Sequence, residues 1–380
     1  MMKAKILCIA GARPNFMKVA PLLRALSRRT QFDVRLVHTG QHYDPKLSQV
    51  FFDELGIPAP HVHLEVGSGS HGAQTAEIIR RFEPVMLEEQ AQVVLVVGDV
   101  NSTIACALVA AKVILEKPFE TCWGTRRRPL IVHVEAGLRS FDEDMPEEIN
   151  RRLTDSISDL LYVSDPAGME NLSREGVPPR KMLLVGNVMI DTLLAARERA
   201  MQSQILAQLG LIAGAYGVVT LHRPSNVDDS ATLAGLLRTL DHVAHETPLV
   251  FPVHPRTKAR LDAAGLSLDE SRWRVIEPVG YLDFLCLLSR ARVVLTDSGG
   301  IQEETTVLGV PCLTLRENTE RPVTVDEGTN QLVGIEPAAI IDGYRRVMSG
   351  TVTGRVPKFW DGKAAERIAE HLESVLTAPA

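Results

Sequence analysis

Short apolar runs rich in β-branched residues recur along the sequence between amphipathic stretches, and few folds accommodate that alternation. "KILCIAG", "DVRLVHTG", "VVLVVGD", "LIVHVEAG", "LLYVSD" and "MLLVGN" each lead into a helical pattern. A strand with one wet face alternates apolar and polar residues, whereas a strand that is apolar throughout needs cover on both faces, which crossover helices give to parallel sheets. A second series begins with "YGVVTLH" and runs through "PLVFPVH", "WRVIEPV", "VVLTDSGG" and "VPCLTLRE". The fold class is therefore α/β, arranged as two doubly wound domains, and 380 residues exceed the length at which one core usually keeps growing. The break is expected near 187–215, where "NVMIDTLLAARERAMQSQILAQLG" supplies a long helix and a glycine, so that the domains are 1–187 and 188–360. Residues 361–380 read as one further helix that packs back on the first domain.

Charge narrows the partners. A formal net charge of −6 gives no basic field for nucleic acid or an anionic membrane, so any phosphate has to be met by local residues. Cys8, Cys106, Cys122, Cys286 and Cys312 are odd in number and include no CxxC pair, which argues against a disulfide framework and a zinc site and fits reduced thiols in the cytoplasm. The opening "MMKAKILCIAGARPNF" reads as a first strand rather than a signal segment, and no run approaches the roughly 18 apolar residues of a spanning helix.

In open parallel sheets, ligands sit beyond the carboxyl ends of the strands. Arg13, Gln41, His42, Asp99, Glu135, His222, His254 and Ser298 all follow apolar strand cores, and are expected to face one interdomain cleft. "GARPNFMK" places Arg13 and Lys18 beside a helix N-terminus, an arrangement that suits a phosphate. Asp99 in "GDVNST" reads as a helix cap or a site acid, and Glu147 after Met145-Pro146 as a dipole partner or a site acid. Glu135 ends a strand too apolar to hold a carboxylate without a reason. In "DSGGIQEE", Ser298, Gly299 and Gly300 let a backbone approach a ligand where strand becomes helix, leaving amides for an anion and a carboxylate one turn on for a sugar hydroxyl. "LHRPSN" adds His222 and Arg223, and "FPVHPR" adds His254. Metal binding is disfavoured, since HExxH and Dx[DN]x[DN]G are absent; Walker A and GxGxxG are missing too, so no cofactor is expected. The loop "EKPFETCWGTRRRP" (116–129) precedes a strand and belongs at the opposite end of the sheet, where its arginines read as a solvated turn or contact surface.

Taken together, "GARPNFMKVAPLL", "GDVNST", "HVEAGLRS…MPEEINR", "HRPSNVD", "LTDSGGIQEE" and "ENTERPVTVDEGTNQLVG" resemble the non-hydrolysing UDP-N-acetylglucosamine 2-epimerase family, in order and over nearly the whole chain. The resemblance implies two Rossmann-like domains in the glycosyltransferase-B arrangement, a homodimer, and interconversion of UDP-GlcNAc and UDP-ManNAc through 2-acetamidoglucal. It implies that Asp99, Glu135 and Glu147 are the acid/base and cation-stabilising carboxylates, with His222, Arg13, Lys18 and Arg321 at the diphosphate. Ser298, Gly299 and Gly300 would meet the diphosphate, Glu304 the ribose, and the backbone near Val279 the uracil. Gln41, His42, Arg223 and His254 match a second, regulatory substrate site, but Asp44 and Ser225 depart from its pattern, so weak or absent activation by UDP-GlcNAc is expected. "VHTGQHYD", "GDVNST" and "LRSFDEDMPEEINR" also resemble the branch that epimerises UDP-2,3-diacetamido-glucuronic acid. The rival readings are a hydrolysing epimerase, a UDP-sugar glycosyltransferase and a non-catalytic UDP-sugar sensor; product analysis separates them.

Overall fold

The computed structural model describes residues 3–41 and 52–377, apart from the side chains of Arg13 and Pro14. The chain forms two compact units, Met1–Thr192 with Lys358–Ala380, and Leu193–Pro357. The division falls inside the helix Val188–Ala200.

In the first unit, β1 (Ala4–Ala10), β2 (Phe32–His38), β3 (Val62–His63), β4 (Val93–Val97), β7 (Leu130–Ala136), β8 (Leu160–Val163) and β9 (Met182–Leu184) form a seven-stranded sheet in the order β3-β2-β1-β4-β7-β8-β9. All of its pairings are parallel. Central β4 and β7 are buried along their whole lengths, which is why β4 is apolar without alternation and β7 departs from that only at His133 and Glu135. The helix His71–Glu89 turns Gln74, Ile78, Phe82 and Met86 inward, one residue per turn, onto a core that includes Leu7, Ile9 and Val94. The helix Ala364–Leu376 buries Ile368, Ala369, Leu372 and Val375, and Arg29 forms ion pairs with its Glu366, Glu370 and Glu373.

The segment 116–129 is not simply a solvated turn. It contains a two-stranded antiparallel hairpin, β5 (Phe119–Thr121) and β6 (Gly124–Arg126). Arg126 forms a bidentate pair with Asp159 at 3.0 Å, while Arg127 and Arg128 donate to the carbonyls of Leu115 and Ala111. Arg127 and Arg128 thus finish loop and helix carbonyls that no regular ladder satisfies.

In the second unit, β10 (Gly217–Thr220), β11 (Leu249–Pro252), β12 (Trp273–Ile276), β13 (Val293–Thr296), β14 (Cys312–Thr314) and β15 (Asn330–Leu332) run parallel in the order β12-β11-β10-β13-β14-β15. Leu236, Leu240, Phe251, Trp273 and Leu295 share one core beneath the helix Ser230–Glu246. Both sheets place β1 or β10 centrally and grow outward on either side, the doubly wound pattern.

Candidate active site

In the first unit the polar groups gather where β1, β4 and β7 end. The helix Arg13–Ser27 follows β1, and its Asn15 ties two strand ends together: Oδ1 accepts from the Gly11 and Ala12 amides, while Nδ2 donates to Val97 O at 3.0 Å. One turn on, Lys18 forms an ion pair with Glu135, both side chains being buried. Glu135 sits at a break in the β7–β8 register between Val134 and Ala136, with φ +71°. A left-handed glutamate costs on the order of 1–3 kcal/mol and persists only where its surroundings over-determine it. Gly98 has no room to spare either: a Cβ there would lie 3.3 Å from Lys18 Nζ and 3.6 Å from Glu135 Oε2.

Asp99 follows Gly98. The helix Pro146–Ile157 packs its Asn150 and Arg151 against it, with Arg151 Nη2 2.6 Å and Nε 3.0 Å from Asp99 Oδ2, and Asn150 Nδ2 donating to Asp99 O. Asp99 is thus a paired carboxylate, and it does not serve as the cap of the helix Asn101–Lys112, whose N-cap is Val100. Glu147 lies in the first turn of Pro146–Ile157, one turn before Asn150 and Arg151, and is half-buried. Its neighbour Glu148 is fully used: it accepts from the Ser140 and Phe141 amides and from Arg151. The structure therefore brings Lys18 to Glu135, and sets Glu147 on the helix that holds Asp99. Arg151 was missed by sequence reasoning; its only signal is a cation four residues after Glu147 in "PEEINR". Gln41 is a buried tie whose Oε1 accepts from the Ser102 amide and hydroxyl. His42 and the Arg13 side chain lie outside the described residues.

In the second unit the ends of β10 and β13 are joined by Asp297. Its carboxylate accepts from the His222 and Arg223 amides at 3.0 and 2.9 Å, and lies 2.8 Å from His222 Nδ1. Burial opposes the charge on Asp297, yet the bond and attraction from His222, with the two amides, hold its carboxyl below the usual range. Nδ1 is thereby the donor, which leaves Nε2 of a side chain that is 42% exposed to face a ligand. His222, His254, Val279 and Phe284 line a cavity of about 180 Å³. His254 also caps the helix Pro255–Ala263, accepting from the Arg256 amide.

Ser298 is the N-cap of the helix Gly299–Leu308. A Cβ on Gly299 would lie 2.5 Å from Arg321 Nη1, so the absence of a side chain there is what lets the guanidinium stand at the helix N-terminus. Arg321 Nε pairs with Glu303 at 2.7 Å; Glu320 in turn holds Arg316 at 2.8 Å and reaches Arg223 at 3.4 Å. Glu304 is buried in the second turn, where it accepts from Tyr281 OH at 3.2 Å. Burial pushes its carboxyl up to about 8, against the bond from Tyr281 and with repulsion from Glu303. Asp297 and Tyr281 were not singled out from the sequence, although Asp297 opens the quoted "DSGGIQEE". Among the described residues there is no group of three or more His, Cys, Asp or Glu that could hold a metal ion, and no helix long and apolar enough to cross a membrane.

Two doubly wound units, each with its polar groups at the carboxyl ends of parallel strands, define a two-domain Rossmann-like α/β protein. Residues 24–373 match the model of the family described as UDP-N-acetylglucosamine 2-epimerase. The chain is 40% identical over 376 residues to the UDP-N-acetylglucosamine 2-epimerase of Methanocaldococcus jannaschii, covering 97% of this chain and 98% of the relative. It is 41% identical over 372 residues to the UDP-2,3-diacetamido-2,3-dideoxy-D-glucuronate 2-epimerase of Pseudomonas aeruginosa, covering 97% and 99%. The solved Methanocaldococcus jannaschii UDP-GlcNAc 2-epimerase in complex with UDP-GlcNAc and UDP superposes with a TM-score of 0.87 at 39% identity, covering 97% of this chain and 99% of that one. The chain belongs to the UDP-N-acetylglucosamine 2-epimerase family.

Proposed function

We propose that the protein interconverts UDP-GlcNAc and UDP-ManNAc by inversion at C2, through elimination of UDP to 2-acetamidoglucal and re-addition. What carries this reading is the strained, buried Glu135 paired with Lys18, in a chain that shares 40% identity with a named UDP-N-acetylglucosamine 2-epimerase. C2 bears an amide nitrogen and has no carbonyl beside it, so its proton is too weakly acidic for simple removal. Departure of UDP with the C1–O electron pair makes the ring carbon cationic, and a carboxylate can then take the C2 proton as the double bond forms. Protonation from the other face with return of UDP to C1 completes inversion.

Asp99, Glu135 and Glu147 supply the acid/base and cation-stabilising carboxylates. Arg13, Lys18 and Arg321 neutralise the diphosphate, and His222, fixed by Asp297, aids its departure through Nε2. Ser298, Gly299 and Gly300 offer helix amides to the diphosphate, Glu304 meets the ribose, and uracil lies at the cavity beside Val279. Gln41, His42, Arg223 and His254 make up a weak regulatory site at most, since the Gln41 amide oxygen is already engaged. No cofactor takes part. The protein works in the cytoplasm as a homodimer, for which exposed Ile149 and Leu153 on one helix supply apolar surface. The 41% identity to the Pseudomonas aeruginosa enzyme favours a second substrate, UDP-2,3-diacetamido-2,3-dideoxy-glucuronic acid, handled by the same chemistry.

NMR of UDP-GlcNAc turnover in D₂O tests the reading: epimerised product must carry deuterium at C2. Asp99→Asn and Glu147→Gln should lower turnover by about 10²-fold or more while UDP affinity survives. Inverted product without deuterium refutes the mechanism. Turnover of the diacetamido-glucuronate alone moves the protein to the second substrate.

A further inference from the structure

A buried charged cluster lies next to Asp99 and Glu135 in the first unit, and none of the roles above uses it. His133, two residues before Glu135 on β7, is fully buried. Its Nε2 lies 2.8 Å from Gly98 O, and its Nδ1 lies 2.6 Å from Asp155 Oδ1. A carbonyl oxygen only accepts, so Nε2 carries hydrogen and donates to it. Asp155 Oδ2 accepts from the Gly137 amide at 3.1 Å and pairs with Arg139 at 2.8 Å, and Arg139 also reaches Glu175. Burial works against the Asp155 charge, but attraction and bonding from His133 and Arg139 hold its carboxyl below the ordinary range. With Gly98 O on Nε2 and Asp155 on Nδ1, the ring is held at both nitrogens.

What the ring pins matters for the site. The Gly98 carbonyl belongs to the rigid peptide plane that joins Gly98 to Asp99, and Gly98 stands at φ +69° with its amide bonded to Val134 O. Fixing that carbonyl fixes the direction in which Asp99 leaves the strand. On the other side, the Asp155 bond to the Gly137 amide holds the chain two residues beyond Glu135, where the left-handed residue would otherwise relax. One histidine–aspartate pair thus reaches both the turn of Asp99 and the segment of Glu135.

We propose that His133 and Asp155 are positioning residues that clamp the Gly98 carbonyl and the Gly137 amide, and so hold the carboxylates of Asp99 and Glu135 at one spacing for proton transfer at C2. This rests on the reading of Asp99 and Glu135 as acid/base groups. A cluster that served folding alone would respond alike to the loss of either bond; a clamp must respond to which bond is lost. His133→Gln can set an amide NH₂ near the Nε2 position and keep the bond to Gly98 O. His133→Asn sets its NH₂ near Nδ1, keeping Asp155 and losing Gly98. Both are neutral amides, so they differ chiefly in which bond they keep.

The test measures kcat and KM for UDP-GlcNAc, UDP affinity and melting temperature for both variants, with Asp99→Asn and Glu135→Gln in the same assay. His133→Asn should lose about 10²-fold in kcat with KM and UDP affinity little changed, and His133→Gln should recover at least tenfold of that loss. Equal kcat in the two folded variants overturns the clamp, while loss of turnover in Asp99→Asn and Glu135→Gln leaves the acid/base reading standing. Wild-type turnover in Asp99→Asn and Glu135→Gln removes that reading and the clamp with it. Should neither histidine variant fold, ¹⁵N-histidine spectra of the wild-type protein decide: one ring must carry a slowly exchanging hydrogen on Nε2, the nitrogen that faces Gly98 O, and its absence overturns the proposal.

Discussion

Glu135 and Glu304 show how differently two buried glutamates can be treated by the same fold. Glu135 is given a cation, Lys18, and keeps its place despite a left-handed backbone. Among the described residues Glu304 is given only the Tyr281 hydroxyl, and it sits near Glu303, so burial dominates and its carboxyl is pushed up from 4.5 to about 8. Between those two values the folded state holds a proton that the unfolded chain has lost, so stability falls as pH rises through that window. Tyr281, itself raised by burial, remains a donor throughout. Glu304→Gln removes the titration with little change in volume. The wild-type melting temperature should therefore decline from pH 6 to pH 9 more steeply than that of Glu304→Gln. Parallel curves would show that Glu304 is not the titrating group. Sequence reading found both residues from their places at strand and helix ends. It could not tell paired from unpaired, because Lys18 and Tyr281 reach them only through the tertiary fold.

At the scale of elements, the C-terminal helix depends on a residue far away in sequence. Asp191 accepts from the Ala364 and Ala365 amides at 3.1 and 2.7 Å, satisfying two of the orphan donors that open Ala364–Leu376. No side chain of the N-cap Lys363 does so. Asp191→Ala should cost about 1–2 kcal/mol by denaturant titration, with faster amide exchange concentrated in residues 364–368; uniform exchange across the first unit would contradict the capping role. The same distance rule explains what the sequence could reveal. The apolar strands β1, β4, β7, β10 and β13 are legible because a parallel strand covered on both faces must be apolar along its length. β3 has two residues and the β5–β6 hairpin three per strand, too few to show a period, and β15 reads "NQL" with no apolar run. Asp191 inside "NVMIDTLL" carries no local sign that its partners lie at 364 and 365.

For the molecule as a whole, the path of the chain sets how the units depend on each other's sequence. The first unit is discontinuous: residues 358–380 return to it after the second unit is complete. There Trp360 Nε1 donates to Ser164 O, and Gly186, at φ +92°, runs so close to Phe359 that a Cβ would overlap its carbonyl oxygen. Ile368, Leu372 and Val375 are each at most 2% exposed, and burying such side chains is worth roughly 1.5–3 kcal/mol apiece. Removing all three with Trp360 thus takes away a sum comparable to the roughly 5–15 kcal/mol that holds a whole domain together. Ending the chain at Pro357 should therefore unfold the first unit while the second, contiguous in sequence and built on its own core, survives. If Ser298, Gly299, Arg321 and Glu304 hold UDP, calorimetry of the truncated chain should show one remaining transition that UDP still raises, by about 2.7 kcal/mol at a hundredfold excess over Kd. Epimerase activity should be absent, since Asp99, Glu135 and Glu147 belong to the lost unit. A truncated chain that melts like the full one would show that residues 358–380 are dispensable to the first unit. A surviving transition that ignores UDP would take the nucleotide away from the second unit.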